Sequence, residues 1–236
     1  MAKDEKSRQK KLARKAAKRK AKQQQIRAAG NLSKVQQAAR QTHKPILACK
    51  VPAGLFTNGI GTVVFARGSA TGEVALASFL VDVRCLGIKD AMYRVGGPED
   101  YQMCLQAAAI GGASEDWEPA CLKKLLEDVS AWAGELGFKP HPDSQMGMAL
   151  FGDEVDSDDC TRSFTFGKDG KPFFTAGPND GPRRVKQIIA TLERSCGQGN
   201  YHFMLPLGGG GNLVFDEDDE DLIEGELEDD DPAQRD

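Results

Sequence analysis

The sequence predicts an α+β fold in which mainly antiparallel hairpins pack with helices, flanked by a disordered basic N-terminal arm and a disordered acidic C-terminal tail. Three observations predict it. Two β-rich runs, 62–67 and 73–83, are joined by the Gly-bounded turn 68–72, the signature of an antiparallel hairpin. Leu122, Leu125, Leu126, Val129, Trp132, Ala133 and Leu136 recur at the spacing of one helix face. The charge is segregated: residues 1–44 carry a net +13, 45–215 a net −5 and 216–236 a net −12, summing to the −4 of the whole chain.

Residues 1–44 combine Lys, Arg, Ala and Gln, all good helix formers, with almost no apolar residue to bury. Like charges at helical spacing repel, so a disordered arm that becomes helical on a polyanion is expected. Lys10, Lys11, Arg14, Lys15, Lys18, Arg19, Lys20 and Lys22 are its candidate nucleic-acid contacts. Such an arm gains affinity by releasing condensed counterions and carries no sequence readout. It contains no aromatic side chain, so base stacking is not its mode. The alternative role is a solubilising tail.

After Pro45, residues 46–51 read as a strand and 52–61 as a turn-rich loop. Its Gly59-Ile-Gly61 lacks the further glycines and the lysine of a phosphate loop. In the strand 73–83, period two places Phe79, Val81 and Val83 on one face and Leu80 and Asp82 on the other. The stretch 78–91 follows as a hinge of the first half, with Asp82, Cys85, Lys89 and Asp90 as the densest group of reactive side-chain types. Asp82 suits a base and Cys85, beside Arg84 and Lys89, a thiol of lowered pKa. Such a thiol needs a histidine, and His141 or His202 would have to reach it in space. The structural alternative is that Asp82 caps a turn and Cys85 packs as a small hydrophobe.

A helix is predicted from Pro98 to Gly111-Gly112, and a second from Glu115 and Asp116, with Pro119 in its first turn, to Gly137. Residues 139–143 form a proline-stiffened linker and 146–151 a short helix. The acidic loop 152–160 lacks the glycine and distal glutamate of a calcium loop. Residues 163–175 read as a hairpin turning at Lys168-Asp-Gly-Lys171. A helix from Pro182 to about Ser195 buries Val185, Ile188, Ile189 and Leu192 and exposes Arg183, Arg184 and Lys186, a secondary basic patch with Lys168 and Lys171. A strand over 200–205 closes the second half as ββαβ, and 208–211 lead into the acidic tail. The expected division is 1–44, 45–138, 139–207 and 208–236.

The motifs Leu80-Val-Asp-Val-Arg-Cys-Leu-Gly-Ile-Lys-Asp-Ala91, Leu136-Gly-Phe-Lys-Pro-His141, Phe166-Gly-Lys-Asp-Gly-Lys-Pro-Phe-Phe174 and Gly199-Asn-Tyr-His202 together resemble a bacterial protein family of unknown function. The resemblance covers roughly residues 45–206, leaves out both tails and implies no catalytic residue.

The six cysteines, at 49, 85, 104, 121, 160 and 196, show no paired spacing and read as free thiols in a reducing cytoplasm. A zinc site drawn from Cys104, Cys121, Cys160, His141 and His202 is disfavoured because close-spaced ligand pairs are missing. No cofactor or metal is expected, and no apolar run reaches the roughly 18 residues of a membrane span. The function expected first is a cytoplasmic nucleic-acid-associated protein that touches RNA or the ribosome through its arm, with its own acidic tail competing for the arm. The alternatives are a hydrolase or thiol-dependent enzyme centred on Asp82 and Cys85, and a protein-interaction module.

Overall fold

A computed structural model describes residues 15, 18–20, 34–110 and 112–205. The expected acidic tail, the linker at 208–211 and most of the basic arm lie outside the described residues. The chain divides into two compact units, 1–167 and 168–236.

The first unit is built on a five-stranded sheet. Its strands are β1 (Ile46–Pro52), β2 (Ile60–Gly68), β3 (Val74–Asp82), β4 (Gly87–Gly96) and β5 (Ser114–Asp116). Their order is β4-β3-β2-β1-β5, every neighbouring pair antiparallel. The hairpin expected at 62–83 is β2–β3, paired from Ile60↔Asp82 to Gly68↔Val74. Gly68 has φ +131°, and a Cβ there would lie 2.3 Å from the Glu73 carbonyl oxygen, so this turn needs glycine.

Two expectations need correction here. Residues 87–96 are not part of a hinge but the edge strand β4. Its alternation is broken by a bulge: Leu80 pairs with Asp90 while Val81 pairs with Ile88, leaving Lys89 as the extra residue. Glu115 and Asp116 do not start a helix. They form β5, with Asp116 opposite Lys50 and the two side chains joined at 2.8 Å.

Helices cover the sheet on both faces. On one, α1 (Leu55–Asn58), α3 (Pro119–Glu135) and α4 (Ser144–Ala149) accompany a core in which Val63, Phe65, Ala77, Phe79 and Val81 meet Leu122, Leu125, Leu126, Val129, Leu150 and Phe151. The α3 stripe is the face that the sequence periodicity marks. On the other face, Tyr101, Cys104 and Ala108 of α2 (Pro98–Ala108) pack on Ala48, Val64, Ala66, Val74 and Leu76.

The second unit contains β6 (Phe173–Thr175), α5 (Pro182–Cys196) and β7 (His202–Met204), with β6 and β7 parallel. The predicted hairpin at 163–175 is reduced to its turn. Lys168 and Lys171 bridge across Asp169 and Gly170, both at positive φ, as the Asp-Gly pair demands. Residues 163–166 form no strand, and β6 takes β7 as its partner. The order is therefore turn, strand, helix, strand rather than ββαβ.

Candidate functional site

Asp82 ends β3 and closes the β3–β4 connection. Its Oδ1 accepts hydrogen bonds from the backbone N–H groups of Arg84 and Cys85, both at 2.9 Å. The segment is tied down further by Val83 N–H to the Gly59 carbonyl at 2.9 Å and by Arg84 Nη2 to the Thr57 carbonyl at 2.6 Å. Asp82 is only 6% exposed. Burial pushes its pKa up, against the opposing pull of the turn N–H groups and of the Lys89 charge. Cys85 is completely buried.

The structure therefore brings Asp82 and Cys85 together through the backbone of a turn. An aspartate filled by turn N–H groups next to an enclosed thiol offers neither an open base nor a nucleophile that a substrate can reach. Asp90 belongs to a different grouping: its Oδ1 lies 3.9 Å from His141 Nε2 and accepts from Ala91 N–H at 2.8 Å. His141 itself donates its backbone N–H to the Ile88 carbonyl at 2.9 Å, on β4. Lys89 is the bulge residue between these two groupings. His202 stands exposed on β7 of the second unit.

The cysteine reading is corrected at two positions. Cys121, in the first turn of α3, and Cys160 form a disulfide across 39 residues of sequence. Cys49, Cys85 and Cys104 are buried thiols and Cys196 a half-buried one. No spacing rule could reveal a pair so far apart. The bond removes two members of the zinc set considered above, and among the described residues no group of three or more His, Cys, Asp or Glu is placed to hold a metal ion.

Two features that the sequence does not announce organise this unit. The first is Arg67 on β2, 3% exposed. Its Nε donates to the Leu150 carbonyl at 2.8 Å, Nη1 to the Thr42 and Lys44 carbonyls at 2.9 Å each, and Nη2 to the Phe151 carbonyl at 2.7 Å and to the Glu154 carboxylate. A guanidinium has five N–H donors, so all five are matched here. The available signal was a charged residue two positions beyond Phe65, on the face of β2 that faces the core.

The second feature is aromatic. Phe164 stacks on Phe56 and on Trp117, both at 5.9 Å between ring centroids, with the Arg162 guanidinium 4.4 Å from the Trp117 ring centre. Phe166 lies 5.5 Å from Trp132. Trp132 thus sits at the border of the core, with an aromatic partner from outside α3.

An open depression of about 350 Å³ is lined by Glu118, Glu154, Asp156 and Asp159. Glu154 is held by Arg67 and Asp156 accepts from Asp158 N–H at 3.0 Å, so two of its four carboxylates serve the protein itself.

Of the basic candidates, Lys15, Lys18, Arg19 and Lys20 are helical and exposed. Lys10, Lys11, Arg14 and Lys22 lie outside the described residues. On α5, Arg183 is exposed and Lys186 half-buried, while Arg184 pairs with Asp180 at 3.1 Å and so helps to hold the turn before the helix. Lys171 donates to the Gly199 carbonyl at 2.8 Å and Lys168 lies over the Phe173 ring.

Comparison with protein-family models, with curated proteins and with solved structures finds no match to this chain. Among the described residues no helix is long and apolar enough to cross a membrane.

Proposed function

We propose that this protein binds a polyanion, RNA or the ribosome in the cytoplasm, through its basic N-terminal arm. The observation that carries this reading is the charge layout, +13 over residues 1–44 against −12 over 216–236. Lys15, Lys18 and Arg19 are helical and exposed, which leaves their charges open to a polyanion. The acidic tail would compete with the polyanion for the arm, an attraction that salt screens.

The test compares the full chain with a truncation beginning at residue 34. The cut falls there because the Thr42 and Lys44 carbonyls hold Arg67 and Ala38 is buried. Binding to a mixed pool of single-stranded RNA is measured across salt. The full chain is expected to lose affinity with rising salt, at a log–log slope of about −0.7 per phosphate contacted, and the truncation to bind far more weakly. Equal binding by both proteins would refute the reading. Removing 216–236 should tighten binding, and no change would remove the competing-tail element.

A protein-interaction role has its own supporting observation. On the sheet face that carries α2, Thr62, Ser78 and Leu80 are half-buried, and Ile60 and Met92 are 42% and 41% exposed. The register places Ser78 beside Met92 and Thr62 beside Leu80. A partner recovered from nuclease-treated lysate by the native chain, and lost with Met92→Glu, would favour this role over the first. The hydrolase or thiol-enzyme reading has the least support, given the burial of Asp82 and Cys85.

A further inference from the structure

Residues 160–167 cross the first unit without joining its sheet, and their Phe164 and Phe166 pack half-buried against the edge of its core. At one end Cys160 is bonded to Cys121 of α3. At the other, Gly167 donates its N–H to the Val83 carbonyl at 2.9 Å. Between them every second side chain makes a ring contact: Arg162 with Trp117, Phe164 with Trp117 and Phe56, Phe166 with Trp132. Thr161, Ser163 and Thr165 alternate with them and are exposed. Period two is the periodicity of extended backbone, so the segment lies on the surface as a strap held by its even-numbered side chains.

The ties are unequal. Ring contacts and the partial burial of two phenylalanines are each modest, and a single backbone hydrogen bond adds little net stability. The covalent bond is the strong member, and it fixes the strap's start beside α3. Once it is broken, a segment outside the sheet that is held by weak ties opens locally at far lower cost than the core.

We propose that the Cys121–Cys160 bond is a redox latch on this strap, so that reduction by a dithiol frees residues 161–167 from Trp117 and Trp132 while the sheet and its helices stay folded. The chemistry balances in two exchanges. A reductant thiolate attacks one sulfur, forms a mixed disulfide and displaces the other cysteine as thiolate. The reductant's second thiol then closes its own disulfide and releases the second cysteine. Two electrons and two protons pass to the protein, and the dithiol leaves oxidised. Cys121 and Cys160 are both buried, so attack needs a local fluctuation that exposes a sulfur, which makes reduction slow. This inference is independent of the polyanion reading.

The chain carries its own reporters. Its two tryptophans both meet a ring of the strap, Trp117 stacked on Phe164 and Trp132 tilted against Phe166, so tryptophan emission reports its position. Arg162, exposed within the strap, is a trypsin site. The experiment takes full-length protein, oxidised and after dithiothreitol, beside the double variant Cys121→Ser, Cys160→Ser. Alkylation in denaturant followed by mass measurement is expected to label the four free cysteines of oxidised protein and all six after reduction. Reduced protein and double variant should share a red-shifted emission and a cleavage rate after Arg162 raised at least about tenfold, with far-UV circular dichroism unchanged and no further response of the variant to dithiothreitol. Six reactive thiols in oxidised protein would overturn the proposal. So would unchanged emission and cleavage after confirmed reduction. Loss of the far-UV signal on reduction would overturn it too, because the bond would then hold the whole fold.

Discussion

Nη2 of Arg67 donates to the carbonyl oxygen of Phe151 at 2.7 Å, joining β2 to a loop residue far away in sequence. The two are linked a second time through Phe65, which stacks on Phe151 at 4.0 Å between centroids and lies under the Arg67 guanidinium at 5.6 Å. Arg67→Met would leave four carbonyls and the Glu154 carboxylate without their donor. Breaking such a buried arrangement from one side costs about 3–5 kcal/mol, read as a drop in the urea midpoint. Arg67→Lys keeps the charge but offers three donors without the planar fork, and is expected to recover only part of the loss. Glu154 is half exposed, so Glu154→Gln should cost no more than about 1 kcal/mol.

Asp82 makes stability depend on pH in a defined direction. Its folded pKa is raised above the unfolded value, so the folded state holds a proton that the unfolded state has released. The stabilisation is complete below the unfolded pKa, about 3.9, and is lost as pH rises through the raised folded value. Asp82→Asn removes this term. The urea midpoint of the variant is therefore expected to gain on that of the native protein as pH climbs from 4, and a constant difference would refute the assignment. Asp82→Ala, which strands the Arg84 and Cys85 N–H groups, should lose about 1–3 kcal/mol at neutral pH.

Gly87 has φ +69°, and a Cβ there would stand 2.7 Å from Ala133 Cβ and 3.2 Å from the Val129 carbonyl oxygen. Gly87→Ala thus combines a strained backbone with a collision against α3, and a loss of about 2–4 kcal/mol is expected. Adding Ala133→Gly opens space for the new methyl group but leaves the φ strain. A thermodynamic cycle over the two changes should therefore be non-additive.

The thiols should differ in reactivity according to their burial. Burial, with a contribution from the Asp116 charge, pushes the Cys49 pKa up to about 12, and burial also raises that of Cys104. Thiolate is the reactive form, so iodoacetamide at pH 8 should label half-buried Cys196 first. Cys49, Cys85 and Cys104 are expected to resist until denaturant is added. Rapid labelling of Cys85 in native protein would revive the thiol-enzyme alternative.

Residues close in sequence made much of the fold legible beforehand. The Gly-bounded runs of β2 and β3, the apolar stripe of α3, and the proline and terminal glycine of α5 each state their structure within one window, because their determinants are periodicity and turn chemistry. The capping role of Asp82 was legible for the same reason: its partners are two and three residues away. The segregated charge is likewise a property of the chain before it folds.

Long-range contacts decided the rest. β4 hides behind Lys89, Asp90 and Arg94 because a bulge breaks its alternation, and pairing with β3 supplies what the pattern lacks. Phe164 and Phe166 looked like one arm of a hairpin, yet the rings that receive them are Trp117, Phe56 and Trp132. The Cys121–Cys160 bond and the five acceptors around Arg67 join points 23 to 87 residues apart. Sequence alone determined the α+β class, the principal helix faces and the charge layout, since these depend on neighbours along the chain. Only the tertiary structure decided which thiols pair, where the lone buried guanidinium among the described residues goes and what the strap covers, since the folded backbone must first bring those partners within bonding distance.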